Sequence, residues 1–279
     1  MGRSLFGSAG SYTLRYNLRM GWASRRRATY LFGMILFFSF LIATPLTYWY
    51  FNIPSTCDDG IQNQGETAPD KGGPCFVLDE RTLQREAVLW ARSFRLRDGL
   101  YNAVAYINNP NAGAGVAQAR YRFGLYDSDN IMITEREGVM YIMPGGTTPV
   151  LEGRIDVGNR RVAHTYFEFV GPFVWEMMKT DARVISVRNK DITDISTVPR
   201  LSAIAQNDSV TDVENIAFIA TIFDSAGNAF AASATSLSRL NGGASSQIIF
   251  TWPSPFTIRP SRIDITPLVA PALLTAKEE

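Results

Sequence analysis

The pattern of apolar and polar positions divides the chain into one long apolar segment and a much longer alternating region. Residues 30–53 contain no charged side chain. At 1.5 Å per residue, this stretch spans roughly 36 Å, enough to cross a hydrocarbon core of ~30 Å. It therefore predicts a transmembrane helix, in which Pro45 would introduce a kink. A buried core helix is the alternative, but it would need protein contacts on every face.

Beyond residue 87 the apolar residues recur with a period of two, which is typical of half-buried strands. Gly, Asn, Asp and Pro separate these runs every ten or so residues and mark turns. The predicted strands are 88–97, 100–108, 117–127, 131–142, 148–157, 162–176, 182–190, 200–206, 213–223, 228–236, 245–251 and 260–266. Six or seven short strands per unit indicate a β-sandwich, so the ectodomain is expected to be all-β.

The twelve strands form two sets that resemble one another at an offset of 97 to 98 residues. Residues 121–128 align with 218–225, and 103–109 align with 201–207. The apolar positions keep the same phase in both sets, and an Asp-Ser turn follows each aligned strand. This indicates two similar sandwiches joined near Lys179-Thr180-Asp181. The alternative is a match by chance, since β-proteins share generic alternation.

Charge predicts the orientation of the apolar segment. Six arginines and no acidic residue precede it, whereas the remainder of the chain holds 21 basic against 26 acidic residues. Basic residues stay on the cytoplasmic side of a span, so the C-terminal region would be exported. The apolar run is longer than that of a cleaved signal peptide, which favours an uncleaved anchor. A mildly acidic ectodomain also argues against nucleic acid as the partner.

Cys57 and Cys75 are the only cysteines in the sequence, and both follow the apolar segment closely. An even count in an oxidising compartment favours a disulfide. Chain-entropy arithmetic puts the stabilisation from such a bridge near ~3 kcal/mol. The residues between the two cysteines are almost entirely polar or glycine, so the bridge is expected to order a segment without a core of its own.

This segment resembles the C-x-D-G-x-x-N-x-x-E-T-x-x-D-C-G-G-x-C cassettes of bacterial surface proteins. The resemblance implies a disulfide-stapled linker, often associated with calcium. Lys71 stands where the cassette usually has a further cysteine, which excludes a second bridge. Oxygen ligands suit Ca²⁺, and the candidate calcium ligands are Asp59, Asn63, Glu66 and Asp70. The alternative is a solvated spacer that binds no ion. Calcium is the one cofactor considered.

A second resemblance lies in the first strand set. Phe123, Leu125, Tyr126 and Asp127 spell the F-x-L-Y-D signature of a family of bacterial immunoglobulin-like domains, and residues 105–109 match its A-x-V-x-N strand. The second set carries a degenerate copy at 220–224. The resemblance implies tandem immunoglobulin-like β-sandwiches with a binding or scaffold role, and it transfers no catalytic residue. The layout is also similar to that of single-pass bacterial envelope proteins.

Enzymatic motifs are not evident in the sequence. His164, the single histidine, lies in a predicted strand, and no G-x-S-x-G motif accompanies it. Gly113-Ala114-Gly115 lacks the third glycine of a dinucleotide fingerprint. Carboxylates such as Glu135, Glu137 and Glu152 leave open a glycosidase pair, but strand carboxylates usually face solvent. No catalytic residue is therefore assigned.

These observations predict a non-enzymatic protein anchored in the plasma membrane by a single span, with a cytoplasmic N-terminus and a periplasmic or extracellular ectodomain. The ectodomain would bind an envelope protein or cell-wall glycan. The alternatives are an extracytoplasmic carbohydrate-active enzyme and an accessory subunit of a secretion or signalling complex. The expected segments are a basic tail (1–28), the anchor (29–53), the stapled linker (54–78), two sandwiches (79–180 and 181–268) and a C-terminal tail (269–279).

Overall fold

A computed structural model describes residues 22–51, 56–178 and 184–269 of the chain. It divides into two compact units, one up to Pro54 and one from Ser55 onward. The first contains helix α1, Trp22–Phe51, which buries none of its residues against protein. The helix is long and apolar enough to cross a membrane. An apolar helix without a protein partner fits a bilayer better than a core.

Helix α1 begins seven residues before the predicted anchor. The prediction used the absence of charge to set its limit, whereas Arg25, Arg26 and Arg27 are good helix formers that continue the helix. Pro45 lies inside the helix. The hydroxyl of the preceding residue, Thr44, donates to the Phe40 carbonyl at 2.6 Å, a common accompaniment of proline in apolar helices.

The second unit begins with the disulfide loop and a short 3-10 helix, Glu80–Thr82, and is otherwise made of strands. Its strands are β1 (Ala87–Arg97), β2 (Leu100–Asn109), β3 (Ala114–Tyr126), β4 (Met132–Ile142), β5 (Gly146–Asp156), β6 (His164–Phe169), β7 (Glu176–Met177), β8 (Ile185–Thr193), β9 (Arg200–Asn207), β10 (Val213–Phe223), β11 (Ala229–Leu240), β12 (Ser245–Thr251) and β13 (Arg262–Leu268).

The strands form four antiparallel sheets, two in each half of the unit. In the first half the sheet orders are β1-β2-β5 and β4-β3-β6, and β7 also pairs with β3. In the second half they are β8-β9-β12 and β11-β10-β13. The order of pairing is thus the same in both halves. Each half encloses its own core, which includes Phe123 and Trp175 in the first half and Phe218 and Trp252 in the second.

A third apolar cluster joins the two halves. Strand β2 directs Ala103, Ala105 and Ile107 into the first core, while Val104 and Tyr106, on its opposite face, pack with Phe223, Ala229 and Ala232 of the second half. Successive strand residues point to opposite faces, so β2 is buried on both sides. The sheet β1-β2-β5 therefore packs on the sheet β11-β10-β13.

The predicted fold class is confirmed as an all-β ectodomain after one N-terminal helix. Each predicted strand overlaps an observed one, but the predicted strand 162–176 consists of two, β6 and β7. Gly171 and Pro172 interrupt it, because Gly171 has a φ of 78° and proline lacks an N–H group. The predicted boundary near Lys179-Thr180-Asp181 lies outside the described residues, and the division of the ectodomain into domains stays a prediction.

Candidate functional site

The disulfide loop between Cys57 and Cys75 is the first candidate site. The two sulfurs are bonded at 2.09 Å, which confirms the predicted bridge. Cys75 is fully buried. Gly73 has a φ of 57°, and a Cβ atom there would lie 2.8 Å from the Gly65 carbonyl oxygen, so the loop closes on itself only with glycine at this position. The bridge thus fastens a compact loop.

Two of the predicted calcium ligands, Asp59 and Asp70, accept hydrogen bonds from the loop backbone. The Asp70 carboxylate accepts from the N–H groups of Asp59 and Gly60 at 3.0 to 3.1 Å. Asp59 Oδ1 accepts from the Ile61 N–H at 2.8 Å, and this bond lowers the pKa of Asp59. These carboxylates satisfy backbone donors that the polar sequence would otherwise leave unpaired.

The other two predicted ligands, Glu66 and Asn63, belong to the same hydrogen-bond network. Glu66 Oε2 accepts from the N–H groups of Asn63 at 3.2 Å and Asp70 at 3.3 Å, and the Asn63 amide donates to Asp59 Oδ2 at 3.0 Å. Glu66 is 6% exposed, and its Oε1 lies 3.0 Å from Cys75 Sγ. A disulfide sulfur bears no proton, so this contact is not a hydrogen bond.

The three carboxylates among the predicted calcium ligands, Asp59, Glu66 and Asp70, are not gathered into one cluster in this arrangement. Among the described residues, Cys57, Glu66 and Cys75 form the group of ligand-type side chains whose atoms approach within 4.8 Å of one another. The two cysteines are joined to each other and cannot hold an ion as thiolates. The four predicted ligands instead order the backbone of the loop. Calcium binding stays a prediction.

The chain that leaves this loop is attached to the first half of the ectodomain. The Leu78 N–H donates to the Trp175 carbonyl, and the Met177 N–H donates to the Phe76 carbonyl, both at 2.8 Å. Next, Asp79 caps the 3-10 helix and pairs with Arg81. The hydrogen bond from the Arg81 side chain is the main cause that lowers the pKa of Asp79 to about 2. The loop is thus an extension of the sandwich.

The F-x-L-Y-D residues occupy both faces of β3. Phe123 and Leu125 are fully buried in the first core. The Tyr126 ring lies over Gly124 on the opposite face, where a Cβ atom on Gly124 would come within 2.7 Å of the ring. Tyr126 also packs edge-on against Tyr166, with ring centroids 5.2 Å apart. Gly124 therefore leaves the space that the ring fills, and the glycine itself is buried.

Asp127 completes the signature by closing the turn after β3. Its Oδ1 accepts from the N–H groups of Asp129 at 3.0 Å and Ile131 at 2.9 Å. The bond from Ile131 is the main cause that lowers the pKa of Asp127. In the second half Asp224 accepts from Ala226 and Asn228 in the same way. The signature is thus explained by folding alone.

The residues considered for catalysis have structural partners or lie on the surface. His164 is exposed at the start of β6. Glu135 pairs with Arg122 at 3.4 Å, Glu137 with Arg120 at 4.0 Å, and Glu152 accepts the Tyr121 hydroxyl at 2.5 Å. Burial raises the pKa of Tyr121, and the bond to Glu152 adds to the rise. These contacts stabilise the first half.

Two buried polar contacts join the halves. The Tyr106 hydroxyl donates to Thr221 Oγ1 at 2.8 Å, and burial raises the pKa of Tyr106. The Asn102 amide donates to the Ala232 carbonyl at 3.0 Å, while its Oδ1 accepts from the Arg154 N–H at 3.0 Å. Breaking either contact would leave a buried polar group unpaired, so both specify how the two sheets pack.

A groove runs beside this contact, with a volume of about 890 Å³, and we call it the junction groove. It is lined by Leu96, Arg97, Leu100, Asn102, Leu151, Gly153, Arg154, Val198, Ser233, Ala234, Thr251, Trp252 and Pro253. No local sequence pattern marks the groove, because its residues come from both halves. The one local signal is Arg154, whose φ of 58° is rare for a side chain of this kind.

Strand pairing explains the position of Arg154. The register between β2 and β5 shifts between Tyr101 and Ala103, next to Asn102. A bulge of this kind redirects the side chains on the strand that contains it. Asn102 accepts from the displaced Arg154 N–H and therefore holds the irregular backbone in place. The bulge, the buried asparagine and the arginine thus form one local arrangement at the wall of the groove.

Comparison with known proteins adds little to this picture. No protein-family model and no curated protein matches the chain. Among solved structures, exo-chitosanase CsxA of Amycolatopsis orientalis is 10% identical over 61% of this chain and 25% of its own, with a TM-score of 0.20. Red sea bream transglutaminase is 9% identical over 66% of this chain and 31% of its own, with a TM-score of 0.22. The chain thus spans less than a third of either structure, and similarity this low supports no statement about activity.

Proposed function

We propose that this protein is a membrane-anchored, non-enzymatic component of a bacterial cell envelope whose ectodomain serves as a scaffold that binds a protein partner or cell-wall glycan. The observation that supports it best is the junction between the halves. Apolar side chains and the Tyr106–Thr221 and Asn102–Ala232 bonds join two sandwiches into one unit, with an open groove beside the contact. Concave surfaces between domains are common binding sites.

Location in the envelope is supported by helix α1 and by the disulfide. Disulfides persist in exported proteins and are rare in the cytoplasm, and Cys75 follows the helix by only 24 residues. Together with the basic N-terminal residues, these two features support an ectodomain outside the plasma membrane and a tail in the cytoplasm. The anchor would remain attached to the ectodomain.

Reporter fusions test this topology. Alkaline phosphatase fused after Glu279 is expected to be active, because it needs an oxidising compartment to form its own disulfides. A cytoplasmic reporter at the same position is expected to be inactive. The reverse pair of results would refute the proposed orientation.

Site-specific crosslinking tests the binding role. Thr251 and Gln247 lie on the same face of β12, but only Thr251 lines the junction groove. A photoactivated crosslinking residue at position 251 is expected to capture one defined protein or glycan in intact cells, whereas the same residue at 247 is the matched control. Equal capture at both positions, or none at either, would contradict the proposal.

A further inference from the structure

The charges that line the junction groove are all of one sign. Arg97 and Arg154 are its charged lining residues, and both are exposed. Within the described part of the chain neither forms an ion pair. Of the other two arginines of β1, Arg95 pairs with Asp98 and Arg92 donates to the Ala229 carbonyl, while both arginines of β3 form ion pairs. The groove thus presents two positive charges that the fold leaves without a counter-charge.

Two other concave surfaces of the ectodomain differ in this respect. A groove of about 690 Å³ beside the 3-10 helix is lined by Glu80 and Glu86 as well as Arg81 and Arg85. A third, of about 490 Å³, includes Asp264 together with Lys190 and Arg262. Both combine acidic and basic groups. The junction groove is therefore the one of these three suited to an acidic ligand by charge complementarity.

The apolar lining indicates what else the ligand contains. Leu96, Leu100, Leu151 and Val198 contribute apolar surface beside the arginines. Burying such surface contributes about 25 cal/mol per Å², so a ligand that also presents apolar groups would gain free energy that a purely polar one would not. An alternation of acidic and apolar side chains meets both requirements.

Edge strands provide the third element of recognition. Strand β5 lies at the edge of its sheet, as do β11 and β12, and all three line the groove. On β11 the Ala232 carbonyl points away from β10, because it accepts from the Asn102 amide and from Trp252 Nε1 at 3.2 Å. Ala234 lies two residues further on and is exposed, so its N–H and C=O groups point in the same direction. An open strand edge of this kind pairs with extended peptides.

We propose that the junction groove binds an extended, acidic peptide segment of a partner protein, which pairs with the edge of β11 near Ala234 and places carboxylates against Arg97 and Arg154. This inference rests on the proposed binding role and names the chemistry of the partner. The backbone pairing favours a peptide over an anionic glycan, which has no strand to add. In the bound peptide, the acidic side chains would then face Arg97 and Arg154, and the apolar side chains would face the leucines of the groove.

The test uses the full chain in detergent micelles and a fluorescent eight-residue peptide of alternating Glu and Val, followed by fluorescence anisotropy. We expect saturable binding that weakens with salt, because the arginines are exposed. Replacing both Arg97 and Arg154 with Ala should weaken binding at least tenfold. The matched control, Arg161→Ala with Arg259→Ala, removes two exposed arginines outside the groove and should change it less than twofold. Equal losses in the two double variants would overturn the proposal.

Three further probes separate the possible occupants. An N-methylated version of the peptide should lose binding, and its retention would overturn strand pairing. An anionic oligosaccharide that binds with the same arginine dependence, while the peptide does not, would assign the groove to a glycan instead. Peptide binding that occurs only after residues 270–279 are removed would overturn the proposed partner and assign the groove to that segment of this chain. Failure of the peptide alongside specific capture at position 251 would overturn this inference and leave the proposed function intact.

Discussion

At the residue scale, the ectodomain uses its carboxylates mainly as acceptors for its own backbone. Asp70 in the loop, Asp127 in the first half and Asp224 in the second each close a turn in this way. A carboxylate that accepts two N–H groups stabilises a turn without apolar burial. Two of these residues attracted attention from sequence for other reasons, Asp70 as a calcium ligand and Asp127 as a family signature. The structure gives both a common explanation in backbone hydrogen bonding.

Glu176 is an exception among the carboxylates, and its replacement with Gln is expected to stabilise the protein at neutral pH. Its Oε2 is enclosed without a hydrogen-bond partner among the described residues. Burial raises the pKa of Glu176, and a hydrogen bond from the Ala117 backbone offsets part of the rise. The ionised form is therefore disfavoured in the folded state. Relief of this cost should raise the free energy of unfolding by roughly 1 kcal/mol at pH 8.

The size of this effect depends on pH. A raised pKa in the folded state destabilises the protein above that pKa and has no effect below the unfolded value of about 4.3, where both states are protonated. The gain from Glu176→Gln should therefore shrink toward zero as the pH falls to about 4. Urea unfolding followed by tryptophan fluorescence measures it, with exposed Glu80→Gln as the control. A gain that is independent of pH would contradict this account.

At the scale of single elements, the disulfide loop shows how a segment without an apolar core becomes ordered. One covalent bond, a network of carboxylates and the pairing of Phe76 and Leu78 with the first half replace the missing core. The loop was predicted as a stapled spacer, and the staple was found. Its pairing with Trp175 and Met177 was not predicted, because those residues lie a hundred positions away and no local pattern identifies them as partners.

Removal of the disulfide should destabilise this loop more than the sandwiches. Replacing Cys57 and Cys75 together with Ser releases an 18-residue closure, for which chain-entropy arithmetic gives about 3 kcal/mol. We expect amide hydrogen exchange to increase by at least tenfold within residues 57–78 and to change little in β9 and β10. Uniform loss of protection throughout the ectodomain would show instead that the bridge supports both cores.

At the scale of the whole ectodomain, the outer faces of the sheets explain how the halves pack. At an offset of 97 residues, Arg120 and Arg122 of β3 correspond to Ala217 and Ile219 of β10. The arginines form ion pairs on a solvated face, whereas Ile219 is buried. Charged side chains resist removal from water. Of these two sheets, only β11-β10-β13 therefore packs its outer face on a sheet of the other half, β1-β2-β5. The same difference leaves the outer face of β4-β3-β6 open.

The Tyr106–Thr221 bond should couple the two halves energetically. Tyr106→Phe or Thr221→Val alone leaves one buried group unpaired and should each cost about 1–2 kcal/mol. The double variant removes both groups with little change in shape and should cost less than the sum of the two. Urea unfolding of all four proteins measures the difference as a double-mutant cycle. Additive costs would show that this bond does not couple the halves.

The sequence by itself determined the elements and the chemistry that acts locally. Period-two alternation predicted most strands to within a few residues because the pleat directs alternate side chains to opposite faces. The uncharged segment predicted helix α1, and two cysteines in a region expected to be exported predicted their bridge. The division of the predicted strand 162–176 into β6 and β7 was not predicted, since it depends on the backbone at Gly171 and Pro172.

Only the tertiary structure decided which faces meet and what lies between them. The junction brings together Asn102 and Ala232, 130 residues apart, and it creates a groove whose two arginines lie on different strands. Alternation shows that a strand has two faces, but it does not show which partner covers the second face. That choice depends on charge and shape across distant segments, which no local period encodes. The proposed binding surface is therefore a property of the assembled halves.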